Sequence, residues 1–196
     1  MSEPSAFERI AMAAAPIFLA RGYDGVGLRA LAKELGIKAA SLYHHCPDGK
    51  SELYARALTT YLGDYQSQLA SARGRARFPA ALHRMTDWML DHPPVDPHAV
   101  LAAPLSDDAR DALIHALHAA VVDPIADVFR DAQAKGQVRA AVQPELAASA
   151  VISLVHGLGF SHLHGPAPEA AALSAARDHV RQGVSLLLDG VRGDAR

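Results

Sequence analysis

Eleven histidines and a single cysteine among 196 residues raise the question of whether this chain holds a metal or moves protons. His115 and His118 stand three apart, a spacing that puts both on one helix face. His156, His162 and His164 follow further along. Zinc sites need three or four ligands, commonly with a thiolate or carboxylate among them. The lone Cys46 is far in sequence from these histidines, so no metal ligand is assigned. The chain carries no G-x-S-x-G, no H-E-x-x-H, no Walker loop and no dinucleotide fingerprint. It is therefore expected to have no catalytic residue and no cofactor, and not to be an enzyme. Cys46 has two readings, an oxidation sensor activated by neighbouring cationic histidines or a small apolar filler, and the filler is expected.

A second set of residues is grouped more tightly. Arg29, Lys38, Tyr43, His44 and Lys50 lie within the stretch LRALAKELGIKAASLYHHCPDGK, residues 28–50. Cations and phenols suit phosphate oxygens, whereas Ala39, Ala40 and Ser41 are small enough to let a backbone approach base edges. The elements that must position them are short helices. Leu28, Leu31, Ala32 and Leu35 recur at i, i+3, i+4 and i+7, the apolar stripe of a helix on a core. Gly36 follows, placed to end that helix in the left-handed conformation. Ile37 enters the core, and Leu42 alone faces inward from the next helix. Helix, Gly-containing turn and second helix form the helix-turn-helix pattern, whose second helix enters the DNA major groove. The expected DNA contacts are Arg29, Lys38, Ala39, Ala40, Ser41, Tyr43, His44 and Lys50, with Lys50 holding a phosphate.

The flanks carry a family resemblance. FERIAMAAAPIFLARGYDGVG precedes the motif and DGKSELYARAL follows it. An amphipathic helix ending in Arg-Gly-Tyr, then the helix-turn-helix, Leu-Tyr-His-His and Lys-Ser-Glu-Leu resembles the N-terminal domain of TetR/AcrR-family transcriptional regulators. The likeness is strong over residues 7–58, and AQAKGQVRAAVQPELAASAVISLVHGLGF resembles the junction into that family's last two helices. The resemblance implies an all-helical homodimer that releases its operator when a small molecule enters the C-terminal domain. Gly27 stands where the family usually has Thr or Ser, a helix cap without a hydroxyl. Cys46 replaces an aromatic residue, and Pro16 lies inside the first helix, where a kink near Met12 is expected.

Composition agrees with a globular protein. Half of the residues are apolar, a fifth are charged, and the net charge is −2. Residues 1–60 hold seven Lys/Arg against six Asp/Glu, and the rest twelve against fifteen. This asymmetry is mild, so DNA affinity must come from local placement of cations. One cysteine forms no internal disulfide, no apolar run approaches the ~20 residues of a membrane span, and the N-terminus lacks the pattern of a signal peptide. A cytoplasmic protein with no membrane partner is expected.

Ala/Leu-rich helical segments separated by Pro/Gly breaks predict an all-α fold of about nine helices. A three-helix DNA-binding domain over 1–50 is followed by an effector-binding and dimerisation domain over 51–196. Pro124 is expected to kink or divide one helix, and a helix apolar nearly all round runs from Leu146 to Leu163. Such a helix must be covered on all sides, and a second copy is the simplest cover. Leu154, Leu158, Val180, Val184 and Leu187 are the expected dimer contacts. Met85, Trp88, Met89, Leu101, Leu117, Val121, Phe129 and Phe160 are the expected effector contacts. Between residues 85 and 129 the only Lys or Arg is Arg110. A hydrophobic effector is therefore expected rather than a phosphorylated one, which would need converging cations. The partners are thus a double-stranded DNA operator, a second copy and a small hydrophobic molecule. The alternatives are a metal- or redox-responsive regulator of the same fold, or a small helical enzyme.

Overall fold

A computed structural model describes residues 5–92, 95–159 and 170–192. Phe160, His162 and His164, three of the residues singled out above, lie outside these ranges. The described residues form helices joined by turns and loops, with one isolated bridge between Val138 and Arg192 and no strand among them.

The first unit comprises Met1–Tyr65 with Val95–His118. Helix α1 (Ala6–Arg21) opens on Ser5, whose hydroxyl accepts from the Glu8 N–H while the Glu8 carboxylate accepts from the Ser5 N–H. This reciprocal pair satisfies two of the helix's free donors. The helix continues through Pro16 and ends at Gly22. α2 (Leu28–Glu34) and α3 (Ala39–His45) form the helix-turn-helix, and α4 (Lys50–Arg73) leads out of it. α6 (Pro97–Ala102) and α7 (Asp107–Leu117) complete the unit, α7 being capped by the Ser106 hydroxyl. Phe18, Leu31, Leu42, Leu53, Tyr54 and Leu58 are among its fully buried side chains. Tyr54 receives Phe18 and Tyr23 edge-on, at centroid distances of 5.1 and 5.2 Å.

The second unit comprises Gln66–Pro94 with Ala119–Arg196. α5 (Ala80–Asp91), α8 (Asp123–Ala134), α9 (Pro144–Leu154) and α10 (Ala170–Val191) pack together. Along α10, Ala176, Val180, Val184 and Leu188 form an i, i+4 stripe buried within the chain itself. Gly183 lies against α9, where a β-carbon would meet Leu158 at 2.9 Å and Leu154 at 3.3 Å. Arg177 pairs with Asp91, and Arg181 with Asp87, linking α10 to α5 along its polar edge.

Pro124 does divide its helix, in a specific way. α7 and α8 are joined by a π-helical turn, His118–Val122. Proline has no N–H to donate and its ring crowds the carbonyl four residues back, here that of Ala120. A wider i→i+5 turn accommodates both constraints. A second such turn, Val155–Gly159, continues α9. The division yields ten α-helical segments among the described residues; with α7 and α8 taken as one stretch they number nine.

That stretch, Asp107–Ala134, is 28 residues long and apolar enough by length and composition to cross a membrane. Eight charged residues, from Asp107 to Asp131, interrupt it, so it holds no unbroken apolar run of about 20 residues. Leu113, Val121, Ile125, Val128 and Phe129 within it are buried in the fold, which accounts for its apolar composition.

Candidate functional site

The helix-turn-helix is assembled by local bonds that the sequence spells out. α2 closes with the Gly36 N–H donating to the Lys33 carbonyl and the Ile37 N–H to the Ala32 carbonyl, at 3.2 and 3.0 Å. This Schellman arrangement needs a left-handed residue, and Gly36 supplies it at φ 69°. Gly27 caps α2 with no side-chain hydrogen bond. Gly25 is constrained differently, since a β-carbon there would stand 2.3 Å from the Arg21 carbonyl oxygen. Arg21 and Glu34 join the ends of α1 and α2 through two hydrogen bonds of 3.0 and 2.9 Å.

Within α3 only Leu42 is fully buried. At about 100° per residue, Ala40 and His44 stand about 160° from Leu42 and form the outermost line of the helix. Ala40, Ser41, Tyr43 and His44 are exposed, Ala39 and His45 half-buried. Ser41 occupies the flank toward α1, lining a 350 Å³ groove with Ala6, Arg9, Ile10, Ile37 and His45. Arg29 and Lys38 are exposed. These seven expected contacts thus belong to one compact element pair, with α2 and α3 packed on each other.

Lys50 differs. Its ammonium donates to the Tyr23 carbonyl at 2.9 Å and lies 3.9 Å from the centroid of the Tyr23 ring. It therefore ties the start of α4 to the loop after α1, a role missed because Tyr23 is 27 residues away. A charge-assisted hydrogen bond and a cation–π contact together stabilise by roughly 2 kcal/mol. Lys50→Ala is expected to lower the melting temperature by about 4–8 °C for a chain of this size. Calorimetry measures that loss. The salt dependence of DNA binding, read on the same variant, reports any phosphate contact that Lys50 also makes.

Cys46 is fully buried, and burial, assisted by the Glu52 carboxylate, pushes its thiol up to about 11. A thiol so raised holds little nucleophilic thiolate at neutral pH, which favours the filler over the oxidation sensor. Iodoacetamide at pH 8 is expected to label Cys46 only as fast as the chain unfolds, and at once in denaturant. The unfolded chain ionises this thiol from about pH 8.5 upward while the folded chain retains its proton to about 11. Folded stability therefore declines as pH rises across that window.

Among the described residues no group of three or more His, Cys, Asp or Glu side chains could hold a metal ion. His115 is exposed, its Nδ1 2.7 Å from the Asp111 carbonyl. Of the expected effector contacts, Met85, Trp88 and Met89 are on α5, Val121 in the first π turn and Phe129 on α8, all in the second unit. Met85, Met89, Val121 and Phe129 are buried, and Trp88 is half-buried with His92 stacked on it at 4.4 Å. Leu101 and Leu117 belong to the first unit, Leu101 being 53% exposed.

The expected dimer contacts separate into two groups. Val180 and Val184 are covered by their own chain, whereas Leu154, Leu158 and Leu187 are partly exposed. Leu187 shares a 350 Å³ groove with Ala141, Val142, Leu146, Ala150 and Val191. Leu146 is 67% exposed there, an outward apolar residue that the all-round apolarity of its helix had already signalled.

Comparison with known proteins agrees with this arrangement. Residues 10–57 match the family model described as "Bacterial regulatory proteins, tetR family". Residues 78–188 match that of the "BetI-type transcriptional repressor, C-terminal". The HTH-type transcriptional regulator LmrA of Bacillus subtilis is 34% identical over 80 residues, 41% of this chain and 43% of LmrA, so the match spans less than half of that relative. The regulator UidR of Escherichia coli K12 is 24% identical over 160 residues, 76% of this chain and 78% of UidR. In structure, a transcriptional regulator from Saccharomonospora viridis solved with choline superposes with a TM-score of 0.71 at 24% identity, over 97% of this chain and 98% of its own. The two family matches, in the order that the helices require, identify the chain as a member of the TetR family of bacterial regulatory proteins.

Proposed function

We propose that this protein is a homodimeric repressor that holds a palindromic operator and releases it when a small, mostly apolar molecule enters the second unit. The observation that carries the reading is the pairing of an outward α3 with an uncovered apolar groove on α9 and α10. A two-fold homodimer carries two α3 helices, one for each half-site of a palindromic operator. Arg29, Lys38, Tyr43 and His44 would supply phosphate contacts, and Ala39, Ala40 and Ser41 would face the bases. Leu154, Leu158 and Leu187, joined by Leu146, would form the interface, with Val180 and Val184 supporting it from within.

Effector binding would act through differential affinity for two spacings of the heads. Met85, Met89, Val121 and Phe129 offer apolar walls, Trp88 an aromatic edge and His92 a polar handle. The absence of cations between residues 85 and 129, Arg110 apart, favours an effector without phosphate groups. Arg110 is itself engaged by Asp107 and the carbonyls of Ala103 and Leu105. Such a regulator would work in the bacterial cytoplasm, where its operator is.

The test uses Trp88, the only tryptophan. A panel of uncharged hydrophobic compounds is titrated while Trp88 fluorescence and the retardation of upstream DNA are followed together. A compound that shifts the fluorescence and frees the DNA supports the reading. Release only by a highly charged metabolite overturns the effector class, and retention of DNA binding by Tyr43→Ala removes Tyr43 from the interface.

A further inference from the structure

Recognition helices read sequence with a small vocabulary: Arg or Lys for guanine, Asn or Gln for adenine, carboxylates for cytosine, Ser or Thr for several bases, and apolar groups for the thymine methyl. From Ala39 to His45, α3 contains no Arg, Lys, Asn, Gln, Asp or Glu. Its outermost line is Ala40 and His44, with Ala40 in the N-terminal half that meets base edges. Leu42 fixes this rotation, because it is wholly buried on the opposite side. Ser41 is turned to the flank shared with α1, and Tyr43 to the other flank, about 100° from Leu42. In the N-terminal half of α3 the side chain presented most directly to a groove floor is therefore the Ala40 methyl group. We infer that Ala40 reads a thymine 5-methyl group in each operator half-site, so that the centre of recognition is a hydrophobic contact rather than a hydrogen bond.

This rests on the reading of the chain as an operator-binding helix-turn-helix protein, and adds to it which base feature is read. The short side chain also explains how the contact forms, since α3 can descend until the Ala40 methyl touches the groove floor. Lys38, exposed at the α3 N-cap, adds charge beside the contact without taking its place.

The experiment begins with selection of duplexes from a random library by the full-length protein, which yields a consensus. Each thymine of that consensus is then replaced in turn by deoxyuridine, which removes the 5-methyl group and leaves every hydrogen-bonding atom in place. Loss of one buried methyl contact is expected to weaken binding about four-fold per half-site, and about fifteen-fold when both half-sites are changed. In Ala40→Gly the unmodified operator should bind more weakly and the deoxyuridine penalty should vanish. Ala40→Ser, which better preserves the helix, should likewise diminish the penalty, so that a folding defect in the glycine variant does not decide the result. A consensus in which no deoxyuridine weakens binding overturns the inference, as does a penalty that persists undiminished in both variants. Failure to enrich any sequence would instead remove the operator-binding reading and the inference with it.

Discussion

Leu187→Glu is expected to split the proposed dimer and weaken operator binding by about 10²–10⁴-fold, the advantage that a second linked site confers. Leu187 lies at the edge of the groove with Leu146, Ala150 and Val191. In a lone chain a glutamate there remains within reach of water, so the fold survives. In the dimer it would be buried without a partner, which costs several kcal/mol. Leu146→Glu is the companion variant, because Leu146 is 67% exposed in the single chain. Val184→Glu would answer a different question: Val184 is buried in its own chain, and a charge there unfolds the protein before it separates protomers. Sedimentation velocity should find Leu187→Glu at the mass of one chain with near-normal helicity. A dimer of unchanged operator affinity would place the interface elsewhere.

Phe18→Ala is expected to be the costliest single truncation in the DNA-binding unit, about 3–5 kcal/mol. Phe18 is 1% exposed on α1 and meets the Tyr54 ring of α4 edge-on, at 87° and 5.1 Å. Tyr23 contacts the same ring at 84°, so three aromatic residues from α1, its following loop and α4 share one contact point. Removing one ring leaves a cavity and an edge-to-face contact unmade. Total stability for a domain is only about 5–15 kcal/mol, and the melting temperature should fall by roughly 6–20 °C. Tyr54→Phe, which keeps the ring and loses only a hydroxyl, should cost under about 1.5 kcal/mol. Thermal denaturation followed by circular dichroism compares the two. Similar losses from both would move the weight from packing to the hydroxyl.

The helix-turn-helix was legible because everything that specifies it is local. Gly36, Ile37 and the carbonyls they bond lie within six residues of one another. The single inward Leu42 among small and polar neighbours fixes the rotation of α3 without reference to the rest of the chain. Ser5, Ser106 and Gly22 marked helix ends by the same local chemistry.

Lys50 was not legible in this way. Its position at the start of α4 suggests a phosphate, but its partner in the structure is Tyr23, and nothing in spacing announces a contact across 27 residues. α10 shows the same limit from the apolar side. Val180, Val184 and Leu187 all satisfy helical periodicity, yet two face the chain's own core and one is left partly exposed. Periodicity identifies an apolar stripe and leaves open which neighbour covers it. Pro124 lies between these cases. The break follows from a missing N–H and a crowded carbonyl, whereas its form, a π turn, is visible only in the structure.

By itself, then, the sequence determined the all-α fold, the helix-turn-helix and the rotation of its second helix, since caps, turns and periodicity act over one or two helical turns. Tertiary structure alone decided that Lys50 is a clamp, and that Val180 and Val184 are covered by their own chain while Leu187 is left partly exposed. Burial and charge pairing arise between segments distant in the chain, and they are settled only when the helices meet.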